Sequence, residues 1–249
     1  MGMTKQPKAL ADTVPVLITR PFAEGQVFSD SLSARFGDRV HPLISPLMAV
    51  KYLTPDLPAG PFSAVIFTSA AGVAGALCLR ADLPQRAFCV GAKTDERARA
   101  AGFNAVSADG DAMGLVAMVR AAMHGGRLLF LHGKDTRGEV AERLNSAGLE
   151  TESRTVYQQV AQPLSTPALA LLRAKGPVLV PLFSPRTAAL FQMALPADTR
   201  AILHLVVISP AVAEVAARLP HAGLVLARHP DAGAMLDAVA QVLQGPLLP

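Results

Sequence analysis

Small polar residues and glycines follow the predicted strands at five places in the chain, and residues of this kind could bind an anion. The five clusters are Thr68-Ser69, Gly91-Ala92-Lys93-Thr94, Gly133-Lys134-Asp135-Thr136-Arg137, Ser184-Pro185-Arg186-Thr187 and Ser209-Pro210. Each is predicted to begin a helix, where unpaired backbone N–H groups and the positive end of the helix dipole attract negative charge. A ligand with several carboxylates would fit this pattern, although Ser and Thr in such turns are also ordinary helix N-caps.

Two side chains outside these clusters could also take part in binding or catalysis. Arg20 directly follows the first predicted strand, where its guanidinium could bind an anion; the alternative is a surface arginine without a ligand. Tyr157 lies in an extended segment between predicted domains, where a phenol could donate a proton to a bound ligand. A packed hinge aromatic is the alternative for this tyrosine.

The sequence lacks the common cofactor and metal motifs. It contains no GxGxxG and no GxSxG, and the segment from Gly125 to Asp135 departs from the P-loop pattern at the first Gly and the final Ser/Thr. The six histidines form no HExxH, and no Cys or carboxylate stands at a zinc-binding spacing. We therefore expect no cofactor and no metal, while a Ser-His-Asp triad assembled only in space stays open.

The composition narrows the class of protein and of partner. Hydrophobic residues make up 51% of the 249 and charged residues 17%, which excludes intrinsic disorder. The net charge of +4 suits an acidic small molecule, whereas unclustered Lys and Arg and 5% aromatic residues argue against nucleic acid. Cys78 and Cys89 have no CxxC spacing, so a reducing compartment, the cytoplasm, is expected. The N-terminal stretch is a poor secretory signal and Pro61 to Leu79 a poor membrane span, so no membrane partner is expected.

The elements that must position these residues alternate along the chain. Short apolar or β-branched runs and Ala-rich helical stretches predict an α/β fold with parallel sheets covered on both faces. The predicted strands are Val14 to Thr19, Ala64 to Thr68, Ala87 to Val90, Ala105 to Ser107, Leu128 to Leu131, Val178 to Phe183, Ala201 to Ile208 and Leu224 to Ala227. Gly102, Gly148 and Gly223 are predicted to end helices.

Two successive βα units recur along the chain. The segment from Phe67 to Val73 is similar to that from Phe183 to Ala189, at an offset of 116 residues. The segment from Val90 to Thr94 is similar to that from Ile208 to Val212, at an offset of 118. The near-constant offset predicts two similarly folded halves.

Two extended, Pro-bounded segments divide these halves. The segment from His41 to Tyr52 is interpreted as a connector, and that from Thr151 to Val160 as a second one. We therefore predict two similar parallel-sheet, flavodoxin-like domains, one inserted into the other. Domain 1 comprises 1–46 and 160–249, domain 2 comprises 50–155, and 47–50 and 152–160 form the linker strands.

The order of the motifs resembles that of the uroporphyrinogen-III synthase family. The motifs are Leu17-Ile18-Thr19-Arg20-Pro21, Ile66-Phe67-Thr68-Ser69-Ala70, Val90-Gly91-Ala92-Lys93-Thr94, Leu129-Phe130-Leu131-His132-Gly133, Val156-Tyr157 and Phe183-Ser184-Pro185. The resemblance extends from about residue 14 to 243. It implies two α/β lobes joined by a two-stranded linker, with the active site in the cleft between them.

Membership of that family implies an activity in tetrapyrrole (haem, sirohaem, cobalamin, chlorophyll) biosynthesis. The enzyme, a carbon–oxygen lyase of the hydro-lyase type, cyclises hydroxymethylbilane to uroporphyrinogen III with loss of water and inversion of ring D. No cofactor is required. We further expect a cytoplasmic monomer that makes a transient contact with hydroxymethylbilane synthase. A non-catalytic two-lobed protein that binds an anionic metabolite is the alternative function that the architecture would permit.

The resemblance also assigns roles to residues. Tyr157 matches the family tyrosine proposed to assist departure of the hydroxyl, and is the predicted catalytic residue. Thr94, Ser69 and Ser184 match residues of the family's cleft. Together with the turns and the arginine considered above, the predicted substrate-binding residues are Arg20, Thr68, Ser69, Ala70, Gly91, Thr94, Gly133, Ser184 and Ser209. The turn from Ser209 to Ala213 departs from the family pattern, which more usually has Gly-Pro followed by Thr.

Overall fold

The computed structural model of this protein describes residues 13–79, 82–136 and 139–245. Strands and helices alternate along these residues, as the sequence predicts. The strands are β1 (Val14–Ile18), β2 (Val40–Ile44), β3 (Met48–Tyr52), β4 (Ala64–Phe67), β5 (Arg86–Cys89), β6 (Asn104–Ser107), β7 (Leu128–Gly133), β8 (Thr151–Ala161), β9 (Gly176–Leu182), β10 (Ala201–Val207) and β11 (Gly223–Leu226). The α-helices are α1 (Phe22–Phe36), α2 (Ala70–Leu77), α3 (Ala92–Ala100), α4 (Ala112–Ala122), α5 (Val140–Ser146), α6 (Thr166–Arg173), α7 (Pro185–Ala194), α8 (Pro210–Ala216) and α9 (Ala232–Gln244).

The strands form two sheets, and the prediction of an α/β fold with parallel sheets is confirmed. The five-stranded sheet has the order β11-β10-β9-β1-β2, and its neighbouring strands are all parallel. The six-stranded sheet has the order β3-β8-β7-β4-β5-β6, and it is parallel from β8 to β6. In each sheet the strand order reverses once, between β1 and β9 and between β4 and β7. Such switch points are where α/β proteins bind ligands.

The chain divides into two compact units, with the divisions after Ala49 and after Val160. We call residues 50–160 the central unit and the remaining described residues the discontinuous unit. Both divisions fall within strands, β3 and β8, which are neighbours in the six-stranded sheet.

Each sheet buries both of its faces, which explains the nearly continuous apolar strands. In the discontinuous unit, α6, α7 and α8 cover one face and α1 and α9 the other. In the central unit, α4 and α5 pack on one face, against side chains such as Ile66 and Phe130. Helices α2 and α3 pack on the opposite face, against Phe67 and Leu131. Among the described residues, no helix is both long enough and apolar enough to cross a bilayer.

The two sheets contain the same arrangement of strands, entered by the chain at different points. Strands β4, β5, β6, β7 and β8 occupy the positions that β9, β10, β11, β1 and β2 occupy in the other sheet. The repeat in sequence therefore continues into a third unit: Asp111 caps α4 and Asp231 caps α9, at an offset of 120 residues. The next strand of the central unit, β7, is equivalent to β1, which precedes it near the start of the chain. The offset of about 116 to 120 residues between equivalent segments therefore ends at this point.

Three local predictions were wrong. The segment from His41 to Tyr52 was predicted to be a connector, but its first residues belong to β2. This is an edge strand parallel to β1. An edge strand accepts Pro42 because one side of it has no ladder partner. The cluster that begins at Gly133, whose last residue lies outside the described ranges, does not open a helix directly, since α5 begins only at Val140. Gly223 does not end a helix: it is the first residue of β11, whereas Gly102 and Gly148 have the positive φ values, 92° and 82°, of helix ends.

Candidate functional site

The predicted site residues lie at the carboxyl edge of their own sheets. In the central unit, Thr68, Ser69 and Ala70 follow β4, Gly91 and Thr94 follow β5, Gly133 ends β7, and Tyr157 lies in β8. In the discontinuous unit, Arg20, Ser184 and Ser209 follow β1, β9 and β10. Parallel strands bring their carboxyl ends to one edge, so each unit collects its candidate residues there.

A β-bulge determines the direction of Tyr157. His132 of β7 lies opposite Thr155 of β8, but the next β7 residue, Gly133, lies opposite Tyr157, so Val156 is an extra residue in β8. A bulge re-aims the side chains that follow it. Val156 and Tyr157 consequently both pack against the cluster beneath α2 and α3, although they are adjacent in sequence.

The Tyr157 hydroxyl meets the first turn of α2. Its Oη lies 3.0 Å from the Oγ of Ser69, the N-cap residue of that helix. Ser69 Oγ also accepts a hydrogen bond of 3.0 Å from the backbone N–H of Gly72. The serine therefore caps the helix and contacts the phenol at the same time, and both side chains are half-buried.

Glycines in α2 allow this helix to approach the sheet closely. A Cβ at Gly72 would lie 3.0 Å from the carbonyl oxygen of Leu131, and one at Gly75 would lie 2.8 Å from that of Val156. Real Cβ atoms do not come closer than about 3.0 Å to such atoms. The small residues of α2 thus hold Ser69 within reach of Tyr157.

Gly133 is buried against the Tyr157 ring. A Cβ at this position would lie 2.7 Å from both Tyr157 Oη and Cε2, so any side chain here would displace the ring. The carbonyl oxygen of Gly133 accepts a hydrogen bond of 2.6 Å from Thr136 Oγ1 and lies 2.8 Å from His132 Nδ1. The turn after β7 therefore fixes the backbone that supports the tyrosine.

The turn after β5 could bind a ligand through backbone groups rather than through side chains. Gly91 is the N-cap of α3, and its carbonyl accepts from the N–H groups of Thr94 and Asp95, at 3.0 and 3.1 Å. Thr94 is only 6% exposed, so its side chain is largely covered. Cys89, at the end of β5, is no nucleophile, because burial raises the pKa of its thiol to about 12.

In the discontinuous unit, Arg20 stacks on an aromatic ring. Its guanidinium carbon lies 4.0 Å from the centroid of the Phe183 ring, whose neighbour Phe28 contacts it edge-on at 4.9 Å. Burial lowers the pKa of Arg20, and nearby Glu24 partly opposes this shift. Among the described residues, no carboxylate lies within ion-pair distance of Arg20. The ring thus orients a cation at the switch point between β1 and β9.

The two serine turns of this unit differ. Ser184 caps α7 by accepting from the N–H of Thr187 at 3.1 Å, and its Oγ donates to the Thr187 hydroxyl at 2.9 Å. Ser209 precedes α8 with the same extended backbone but makes no side-chain cap. Val212, which stands in α8 where Thr187 stands in α7, is fully buried in the core. The turn that departs from the family pattern therefore offers no equivalent hydroxyl.

Two features of the site were not predicted from the sequence. Thr187 lies in one of the five predicted anion-binding clusters and Phe183 directly precedes it, but neither the Ser184–Thr187 hydroxyl bond nor the stack of Arg20 on Phe183 was predicted. The stack of Arg20 on Phe183 joins residues more than 160 positions apart, and only the pairing of β1 with β9 brings them together. Within the described ranges, no group of three or more His, Cys, Asp or Glu residues could hold a metal ion.

Comparisons with known proteins bear on the identity of this fold. The family model of uroporphyrinogen-III synthase HemD matches residues 30–237. The chain is similar in structure to uroporphyrinogen-III synthetase from Helicobacter pylori, with a TM-score of 0.58 and 17% identity, over 92% of this chain and 99% of that one. It also matches a mutant uroporphyrinogen III synthase from Thermus thermophilus, with a TM-score of 0.44 and 17% identity, over 93% and 99%.

No curated protein matches the chain significantly. The family match nevertheless covers every described strand except β1, and it includes β4, β7 and β8, which hold Ser69, Gly133 and Tyr157 together. The motifs in the sequence predict the same family, and the chain belongs to the uroporphyrinogen-III synthase family.

Proposed function

We propose that this protein cyclises hydroxymethylbilane to uroporphyrinogen III, with loss of water and inversion of ring D, in tetrapyrrole biosynthesis. The family match over residues 30–237 carries this proposal. The reaction makes the protein a carbon–oxygen lyase of the hydro-lyase type. The substrate's hydroxyl leaves as water to give an azafulvene on ring A, ring D attacks through its substituted carbon, and the resulting spiro intermediate fragments and recloses inverted.

Tyr157 is the general acid in this proposal. Its phenol proton passes to the departing hydroxyl, the carbon–oxygen bond breaks, and water and a phenolate remain. The proton that ring D loses when the macrocycle closes returns to the phenolate, so one water is the only by-product. The placement of the phenol beside Ser69 at the carboxyl edge of the sheet supports this role.

Backbone N–H groups and Arg20 bind the carboxylates of the substrate. Helices α2, α3 and α7 each begin at a carboxyl edge, after Ser69, Gly91 and Ser184, where the helix dipole favours negative charge. Arg20 adds a charged donor that is held flat by Phe183. Hydroxymethylbilane has eight carboxylates, and with a net charge of only +4 the chain relies on such neutral donors to bind them.

The chemistry proposed for this chain needs no cofactor, metal or nucleotide. Turnover is therefore expected to survive exhaustive treatment with EDTA and to need no added flavin or nucleotide. Loss of type III product after chelation, restored by a single metal ion, would contradict this part of the proposal. We further propose a cytoplasmic monomer that receives its unstable substrate through a transient contact with hydroxymethylbilane synthase.

Isomer analysis tests the activity directly. The protein is incubated with enzymatically generated hydroxymethylbilane, the products are oxidised, and the porphyrin isomers are separated. Without catalysis the bilane closes to the uninverted type I isomer, so an excess of type III is expected in the presence of the protein. Type I alone would overturn the proposed function and leave a non-catalytic binding protein.

A further inference from the structure

The strongest unexplained feature of the site is that the Ser69 hydroxyl is directed at Tyr157. Ser69 stands in a turn proposed to bind substrate, yet its Oγ is 3.0 Å from the Tyr157 Oη and 3.0 Å from the Gly72 N–H. A serine hydroxyl has one hydrogen to donate and two lone pairs to accept with. The N–H of Gly72 occupies one lone pair, which leaves the hydrogen and one lone pair for Tyr157, so either hydroxyl of the pair could be the donor.

We infer that Ser69 is a positioning residue for Tyr157: its O–H donates to the Tyr157 Oη, so that the phenol proton points away from α2 and toward the substrate. The opposite arrangement, in which the phenol donates to Ser69, would hold that proton in an internal bond and remove it from the leaving hydroxyl. This inference rests on the proposed function, since it explains how the same site presents its acid.

The surroundings of the pair support this direction. Once Tyr157 has given up its proton, Ser69 still donates to the phenolate oxygen, and the N-terminal end of α2 stabilises that charge. Proton transfer leaves every bond of Ser69 in place, so the serine does not have to reorganise during the reaction. The close packing of Gly72 and Gly75 on the sheet keeps the helix end fixed while this happens.

A double-mutant cycle separates positioning from direct substrate binding. We expect Ser69→Ala to lower kcat for uroporphyrinogen III formation about tenfold, with KM changed less than about twofold, because a misdirected acid costs rate rather than affinity. In the Tyr157→Phe background, Ser69→Ala is expected to change kcat less than about twofold, because the group it acts through is gone.

Two further variants of Ser69 distinguish the loss of the donated hydrogen from the loss of the helix cap. Ser69→Thr keeps the hydroxyl and should retain kcat within about threefold of the wild type. Ser69→Asp keeps the N-cap acceptor but has no hydrogen to donate, so it should lose at least as much kcat as Ser69→Ala while α2 stays capped. Ser165→Ala, which removes a serine N-cap at the start of α6, is the matched control and should leave kcat unchanged.

Several outcomes would overturn the inference. Equal effects of Ser69→Ala in the wild-type and Tyr157→Phe backgrounds would show that the serine acts independently. A rise in KM at unchanged kcat would make Ser69 a ligand of a substrate carboxylate. Full kcat for Ser69→Asp would show that the donated hydrogen has no role. These results differ from failure of the proposed function, which would appear as a wild-type protein that yields only the type I isomer.

Discussion

The Oη of Tyr157 lies 3.0 Å from the Oγ of Ser69, although 88 residues separate them in sequence. Three local features make this contact. The β8 bulge turns Tyr157 toward α2, Gly133 leaves room for its ring, and Gly72 and Gly75 let α2 approach the sheet. The phenol is therefore held by the packing of backbone on backbone, which side-chain motion cannot easily change.

Tyr157→Phe removes the proposed acid without changing the shape of the ring. We expect turnover to fall by about a hundredfold to ten-thousandfold, the usual contribution of a single general acid. The product that remains should still be the type III isomer, because positioning of the bilane ends is not altered. Initial rates and isomer ratios at saturating substrate measure both effects. An unchanged rate would leave Tyr157 with only its packing role.

Gly133→Ala should disturb the same tyrosine from the opposite side. The new Cβ would lie 2.7 Å from Tyr157 Oη, so the ring must move, and a displacement near 1 Å can cost about a hundredfold in rate. The expected result is a fall in kcat of about ten- to a hundredfold in a folded protein. Gly125→Ala is the matched control, because beyond its chain neighbours its Cβ meets no described residue within 4 Å. A fully active Gly133→Ala variant would contradict the proposed site.

Substrate affinity is expected to be spread over several contacts. An exposed helix-terminus interaction contributes about 0.3 to 1 kcal/mol, so loss of one helix cap, as in Ser184→Ala, should weaken binding of uroporphyrinogen III only a few-fold. Arg20→Ala should cost no more than about tenfold, while Arg20→Lys keeps the charge but loses the flat stack on Phe183. Equilibrium binding of the product measures these differences. If Arg20→Ala alone removed nearly all affinity, binding would depend on this one arginine, and the proposal that affinity is spread over several contacts would be wrong.

The fold class followed from the sequence because apolar strand runs and helix punctuation are local signals. The cluster at Ser69 was found in this way, since a serine before a helix has a recognisable pattern. The identity of β2 was missed because its Pro42 indicates a connector unless the edge position is known. The pairing of Arg20 with Phe183 and of Ser69 with Tyr157 depends on strand order and on a one-residue bulge, which no local pattern encodes.

Residues 48–161 are expected to fold when excised, since both hydrophobic clusters of the central unit are built from its own residues. Arg127 adds hydrogen bonds within this unit, since it donates to the Ala59 carbonyl and to the carboxylates of Glu150 and Glu152. These bonds connect the Pro-rich segment before β4 to the sheet. Thermal or denaturant unfolding of the fragment should show a single cooperative transition. A fragment without such a transition would argue against a self-contained domain.

Stability should depend on pH through His204, which lies in the middle of β10. The side chain is 8% exposed, and within the described residues its Nε2 has no hydrogen-bond partner. Burial lowers the pKa of His204 from its ordinary value of 6.5. In the unfolded chain this histidine therefore binds a proton at a pH at which the folded protein keeps it neutral.

The direction of the effect follows from proton linkage. Because the unfolded state binds more protons, the free energy of unfolding rises with pH, by at most about 1.4 kcal/mol per pH unit for one group. The contribution is fully present above pH 6.5 and is lost as the pH falls below that value. His204→Phe removes the titrating group, so its stability curve between about pH 5 and 7 should be flatter than that of the wild type. Denaturant unfolding at several pH values measures the slopes, with the exposed His221→Phe as control; equal slopes for wild type and His204→Phe would show that another group sets the dependence.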